Sequence, residues 1–487
     1  MAAALAGCSS SSGEAEDGRS SASPLANVDL ANTRQAPSAI ERANVADLDL
    51  AWSLPQRAKA TDLRYLASPV VADGVAYLQD PRSNVEAVDV DSGAVLWERR
   101  YEEPVSGPNG VIVAAGVVFG ATKEKAIALD AETGEQLWAT RLVRNGAEQI
   151  AMAPGHHDGR VYVSTATRYG KGNEVGVLWA LDAHTGRKLW HFDTVPRGLW
   201  GKPEVNNGGG LDFSPAFDAE GSMYVGVSNP GPIPGTERFP WGSSRPGPNL
   251  YSNSIVKLDE RTGKVEWHYQ LAPHGVCTGG LGPPVLAEVG GRKLVIGAGM
   301  QGIVVGLDRE TGELLWRQPV GIHNGHDNDG LMAMRGEYEK LDTPAVFFPG
   351  LYGGVFGPSS LSGSTLFVPV TNGAVRVTSQ TALEPVGPYE GELVALDVGD
   401  GSVKWKQSFP APVFGPTTVS NDLVFVSSLD GVAAAFDIHS GDRVWRAKLP
   451  GHTEGGMAFS GDSLLVRTGS PGLYGEMPKL LAYRLAG

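Results

Sequence analysis

Residues capable of chemistry gather in two short stretches of this 487-residue chain. His323-Asn-Gly-His-Asp-Asn-Asp329 places two imidazoles and two carboxylates within seven residues. Imidazole titrates near neutrality and a neighbouring carboxylate can orient it. His323, His326 and Asp327 are therefore candidate acid–base groups, and Asp327 and Asp329 candidate metal ligands. The spacing matches no metal motif, including the calcium loop with its terminal Glu, so a hydrogen-bonded polar loop is the competing reading. The second stretch, Pro240-Trp-Gly-Ser-Ser-Arg-Pro-Gly-Pro-Asn-Leu-Tyr251, offers Trp241, Arg245 and Tyr251 for stacking and anion contact, or else a lid stiffened by its prolines. His156 and His157 stand before Asp158-Gly159 and read as part of a turn. His184 and His439 fall inside repeat turns, and surface positions are expected for all four.

The elements that must position these residues come from an internal repeat. Asp-x-x-Thr/Ser-Gly-x-x-x-Trp recurs from Asp89 to Trp97, Asp130 to Trp138, Asp182 to Trp190, Asp259 to Trp267, Asp308 to Trp316, Asp397 to Trp405 (with Asp400 at the Thr/Ser position) and Asp437 to Trp445. A β-rich run precedes each Asp, such as Val85-Glu-Ala-Val-Asp89, and another lies upstream, such as Gly74-Val-Ala-Tyr-Leu78. These runs are strands by length and composition. The Asp carboxylate accepts from turn amides and the Gly takes positive φ, which makes the motif a hairpin turn with its Trp on the following strand. An indole buried against the next repeat removes roughly 150–250 Å² from water.

Trp52, in Leu50-Ala-Trp-Ser-Leu54, has no Asp turn before it, while Met457 to Arg467 and Leu480 to Leu485 look like inner strands lacking a closing Trp strand. Joining the two ends leaves no open sheet edge. The expected fold is all-β, an eight-bladed β-propeller with four-stranded antiparallel blades whose N-terminal strand closes the last blade. Residues 27–487 form this single domain. The long insertions, Thr167 to Val175, Pro230 to Ser252, Gln318 to Leu341 and Thr371 to Gly391, all fall at second-to-third-strand or blade-to-blade connections. They should crowd the face opposite the Asp turns, where function is expected.

The formal net charge is −14 with no Lys/Arg cluster, so nucleic acid is not an expected partner. The longest apolar stretch, Val111 to Ala121, is too short to span a bilayer. Leu5-Ala-Gly-Cys8 resembles the lipobox of bacterial lipoproteins, which implies lipidation at Cys8 and attachment to the cell membrane from outside. Residues 1–8 then read as a signal remnant, and the seven residues before Cys8 imply a start further upstream. Residues 9–26 read as a tether, because the Ser-rich run from Ser9 to Ser23 cannot bury enough surface to fold. Its reach is roughly 20 Å. Cys277 stands alone and is a poor disulfide partner for Cys8.

Asp29-Leu-Ala-Asn-Thr-Arg34, Asn44-Val-Ala-Asp-Leu-Asp-Leu-Ala-Trp52, Phe192-Asp-Thr-Val-Pro196, Gly208-Gly-Gly210 and Trp267-His-Tyr-Gln270 together resemble the quinoprotein alcohol dehydrogenase-like propellers. A WD-type propeller is the alternative, but its Gly-His and Trp-Asp signature is absent. The resemblance implies pyrroloquinoline quinone (PQQ) in the channel, calcium held by a Glu and an Asn, an Asp base, a Trp beneath the cofactor and a basic residue near it. Asn229 matches the metal-binding Asn. The Glu position falls near Lys171, Asp212-Phe213 replaces the Trp, Met300-Gln301 replaces the basic residue, and Pro273-His-Gly-Val-Cys-Thr-Gly-Gly280 holds no carboxylate.

His274 is thus a candidate replacement base, and Asn229, Trp241, Arg245 and Tyr251 are candidate cofactor contacts. The leading expectation is an envelope propeller that binds a small molecule, glycan or protein through its loop-rich face. The alternatives are a PQQ- and calcium-dependent alcohol or sugar dehydrogenase with rearranged metal and base residues, and a BamB-like envelope assembly scaffold.

Overall fold

The Asp turn and its Trp build one unit over and over. In the second unit, Thr133 donates to Asp130 Oδ1 from both its amide and its hydroxyl, each at 2.9 Å, and the Gly134 amide closes on the Asp130 carbonyl at 2.9 Å. Such bonds favour the anion and hold Asp89, Asp130, Asp182, Asp259 and Asp308 below the ordinary carboxylate range.

A computed structural model describes residues 24–57, 67–105, 107, 109–144, 146, 148–167, 174–196, 198–276, 279–470 and 474–486; Cys8, most of the tether, Lys171 and Cys277 lie outside them. Among the described residues there are eight antiparallel sheets of four or five strands and one two-stranded ribbon. In chain order the sheets span residues 70–99, 112–141, 148–193, 216–270, 285–319, 345–409, 418–448 and 457–485, and are called sheets 1 to 8. Leu48–Pro55, carrying Trp52, pairs antiparallel with Lys479–Leu485 and completes sheet 8. No helix of the described residues is long and apolar enough to cross a membrane.

Consecutive sheets are joined by a regular device. The indole N–H of Trp52 donates to the Val90 carbonyl at 2.9 Å, Trp97 to Ala131 at 2.9 Å, Trp138 to Ala183 at 3.0 Å, and Trp190 to Glu260 at 3.1 Å. Trp267 reaches Arg309 at 3.2 Å, Trp316 Val398 at 2.9 Å, and Trp405 Ile438 at 3.1 Å. Each acceptor is the residue after the repeat Asp of the next sheet. Trp445 instead meets Tyr483 of sheet 8 edge-on, with centroids 5.7 Å apart. Because Trp52 of sheet 8 reaches Val90 in sheet 1, the first and last sheets are stitched in the same way.

Each turn glycine also lies beneath the preceding Trp. Gly134 has φ +70, and a Cβ there would sit 2.6 Å from the Trp97 ring. Gly134→Ala meets both objections, left-handed backbone and overpacking. It is expected to cost ~2–4 kcal/mol, read as a lowered urea midpoint with unchanged slope.

The N-terminal segment crosses the inner strands. Leu30, Ala31, Thr33 and Arg34 carbonyls accept from Phe217, Leu286, Leu361 and Val419, in sheets 4, 5, 6 and 7, at 2.7 to 2.9 Å. Asn32 Nδ2 donates to the Ser214 and Pro284 carbonyls at 3.3 and 3.0 Å. The segment therefore ties together sheets that never share a strand.

Candidate functional site

Three of the four insertions pack on one another. Trp241, Val276, Ala333, Leu341, Phe347, Val375 and Val377 form one buried cluster, so the loops make a cap with its own core. The insertion read as Thr371 to Gly391 is a long hairpin, since Thr365–Ser379 pairs with Ala382–Asp397, and Ala345–Phe347 pairs antiparallel with its 375–377 stretch. A six-residue helix, Asp329–Met334, lies in the neighbouring insertion.

Arg245 is the polar centre of the cap. It is wholly buried and donates to Asn249 Oδ1 and to the carbonyls of His274, Pro232 (3.0 Å) and Gly275 (3.1 Å). All four acceptors are neutral, and burial pushes its pKa down to about 9. His274, expected as a replacement base, is wholly buried beside it, with ring nitrogens 3.0 Å from the Gly247 carbonyl and 2.9 Å from that of Trp241. Burial, reinforced by the Arg245 charge, pushes its pKa down to about 4 against the pull of those carbonyls. A ring so enclosed holds loops together and offers no nitrogen to a substrate.

The other cofactor-contact candidates also go to structure. Trp241 is wholly buried in the cap core. Tyr251 packs on Phe192 at 5.7 Å and edge-on to His268 at 5.0 Å. None of Asn229, Trp241, Arg245 and Tyr251 lines the cap cleft or the channel cavity.

Within the polar stretch the two histidines differ. His323 places Nδ1 2.7 Å from Asp327 Oδ1 and Nε2 3.1 Å from both the Gly302 and Val320 carbonyls, so both of its nitrogens are engaged. His326 places Nδ1 3.0 Å from Asp329 Oδ2 and rests on the Phe347 ring at 3.9 Å, while its Nε2 makes no hydrogen bond among the described residues. Burial raises the Asp329 pKa, opposed by the His326 ring. The pair lies on a cleft of about 50 Å³ whose other walls include Asp327, Gln301, Arg317, Ile303 and Leu331. A carboxylate fixing Nδ1–H leaves Nε2 as a hydrogen-bond acceptor, so the cleft can accept a hydrogen bond from a hydroxyl or ammonium group.

Asn229 gives a different result. Its Nδ2 donates to the Pro230 carbonyl at 3.1 Å, and the nearest carboxylate link runs through Ser228 Oγ, 3.4 Å from Asn229 Oδ1 and 2.9 Å from Asp212 Oδ2. Glu174, the acidic residue that could serve at the family's Glu position only if the loop were shifted from Lys171, faces Arg144 at 3.8 Å. Among the described residues no group of three or more His, Cys, Asp or Glu could hold a metal. The described residues do not fit a calcium–quinone pair, nor do Asn229, Asp327 and Asp329 meet as one metal site.

Sequence reasoning passed over Arg34 and Asn109, which together with Asp212 line a cavity at the ring axis. The only sequence hint was the polar density of Asn27 to Arg34.

The model of the family "Outer membrane protein assembly factor BamB", a PQQ-repeat description, matches residues 13–108, 102–203 and 353–479. "Glucose/ethanol/alcohol dehydrogenase, beta-propeller domain" matches residues 153–321. The quinohemoprotein alcohol dehydrogenase of Comamonas testosteroni is 29% identical over 486 residues, covering 84% of this chain and 66% of that protein. The chain thus spans just under two thirds of that relative's length. Among solved structures, quinohemoprotein alcohol dehydrogenase ADHIIG of Pseudomonas putida superposes with TM-score 0.81 at 23% identity, covering 96% of this chain and 80% of that one. BamB from Moraxella catarrhalis gives 0.55 at 16%, covering 90% and 98%. At these identities the superpositions show the fold alone.

Proposed function

The chain belongs to the PQQ-repeat β-propeller family, and from that premise we propose that it is a membrane-anchored, extracytoplasmic propeller that binds a small molecule at its loop-rich face. The observation that carries this reading is the cap cleft, where His326 presents an unengaged Nε2 backed by Asp329 and flanked by Phe347. A half-buried histidine paired with a buried carboxylate in a partly apolar cleft is the type of constellation that functional sites use. Its ligand is a hydroxyl- or amine-bearing molecule with an apolar body, held against Leu331 and Phe347 and donating a hydrogen bond to His326 Nε2.

The second reading, a quinoprotein dehydrogenase, is favoured by the alcohol dehydrogenase relative and opposed by the surroundings of Asn229. The deciding experiment adds PQQ with calcium, then with a lanthanide, and follows bound-cofactor absorbance and dye reduction over an alcohol panel. No stoichiometric uptake is expected. One PQQ per chain, with dye reduction, would replace the first reading with the second.

The anchor is a lipid on Cys8. Expressed behind a full signal sequence, the protein should incorporate labelled palmitate and sediment with membranes. Cys8→Ser should abolish both; a soluble, unlabelled parent protein would refute the anchor.

A further inference from the structure

The channel cavity is separate from the cap cleft, and its polar groups are arranged differently. It encloses about 80 Å³ between the N-terminal segment and the entries to the inner strands. At ~10–15 Å³ per water-sized group, that is room for roughly five to eight such groups, the size of a small metabolite.

Arg34 lines this cavity and is buried. It donates to the Thr417 carbonyl (2.7 Å), the Ala26 carbonyl (3.0 Å), Asn27 Oδ1 (3.1 Å) and Thr418 Oγ1 (2.9 Å). All four are neutral oxygens; among the described residues no carboxylate hydrogen-bonds the guanidinium, Asp29 acting on it only through its charge, and one of its five N–H donors is uncommitted. A buried cation whose hydrogen-bond partners are all neutral is poised for an anion.

Acceptors line the other parts of the wall. Arg34 lies against sheet 7, whereas Asp212 leads into sheet 4, three sheets earlier in the order. Asp212 Oδ2 takes the Ser228 hydroxyl at 2.9 Å, leaving Oδ1 open. Asn109, 2% exposed, commits Nδ2 to the Asp80 carbonyl at 2.8 Å, but its buried Oδ1 has no partner. Glu454 adds a second acidic side chain to the lining, and Phe356 and Phe414 form an edge-to-face wall at 5.4 Å.

We propose that the channel cavity binds a small amino-acid-like zwitterion, its carboxylate on Arg34 and its ammonium on Asp212 Oδ1 and Asn109 Oδ1. An ammonium supplies three donors, which suits a wall offering several acceptors. A simple carboxylate would leave Asn109 unsatisfied, and a simple amine would leave Arg34 without its anion.

The test is calorimetric titration of the full chain with L-alanine, L-serine, propionate, ethylamine and PQQ with calcium. The two amino acids are expected to bind at least about tenfold more tightly than propionate or ethylamine. Asp212→Asn should weaken alanine by a similar factor at unchanged circular dichroism. Phe356→Trp, which fills the cavity, should abolish binding, and His326→Ala should leave it intact. Equal binding of propionate and alanine, or no binding of either amino acid, overturns the proposal. Loss of alanine binding in His326→Ala would move the ligand to the cap cleft and overturn it as well. PQQ uptake alone would count against the function proposed above without touching the alanine result.

Discussion

Arg34→Met is expected to lower the free energy of unfolding by ~3–4 kcal/mol, with the loss read as a shifted urea midpoint. The guanidinium joins two carbonyls, an amide oxygen and a hydroxyl that belong to the N-terminal segment and to sheet 7. Removing it strands those acceptors in a place they cannot all share with water, and an unsatisfied buried polar group costs about 1–3 kcal/mol. The same change should free the segment, so limited proteolysis between residues 24 and 36 should accelerate in step. Gln35→Ala, one position along but exposed, should stay within about 0.5 kcal/mol of the parent. Equal effects at both positions would mean that the segment, and not the guanidinium, carries the stability.

The second large effect is a pH dependence centred on the cap. His274 has a folded pKa of about 4 against an ordinary 6.5, because burial and then Arg245 disfavour its charged form. Unfolding therefore takes up a proton anywhere between those values. Stability is complete above pH about 6.5 and erodes as pH falls toward 4, by ~3 kcal/mol over the window. The charged or titratable neighbours that face the ring are Arg245 and Tyr338, whose ring centre is 6.1 Å away; neither changes charge in this range. Denaturation followed by tryptophan fluorescence at pH 7 and pH 4.5 should show the loss. His274→Gln should flatten it, at the cost of lower stability at pH 7. An unchanged pH slope in that variant would assign the dependence elsewhere, with Asp329 the next group to test.

The repeat was legible because its chemistry is local. An Asp that accepts from amides three residues on, a Gly with positive φ and alternating apolar strands are all properties of neighbouring residues, so the strand Val85–Asp89 falls where its composition put it. The pairing of Leu48–Pro55 with Lys479–Leu485 was legible for a topological reason: each end lacked what the other had. The loops were not. Arg245 and His274 look like solvent-facing polar residues in Gly- and Pro-rich sequence. They are buried because three insertions distant in sequence fold onto one another, and backbone carbonyls from all sides solvate them. His323 and His326 looked alike for the same reason, and only the carbonyls of Gly302 and Val320 separate them.

What the sequence determined by itself, then, is the repeating unit, because turn and strand preferences act over a few residues. The tertiary structure decided the rest through contacts between residues far apart in the chain. It placed each repeat glycine under the indole of the preceding sheet, set Asp212 in the channel wall with one carboxylate oxygen open, and brought Arg34 to the ring axis. Burial and neighbouring charge set the roles of these groups, and neither is a property of the residue type.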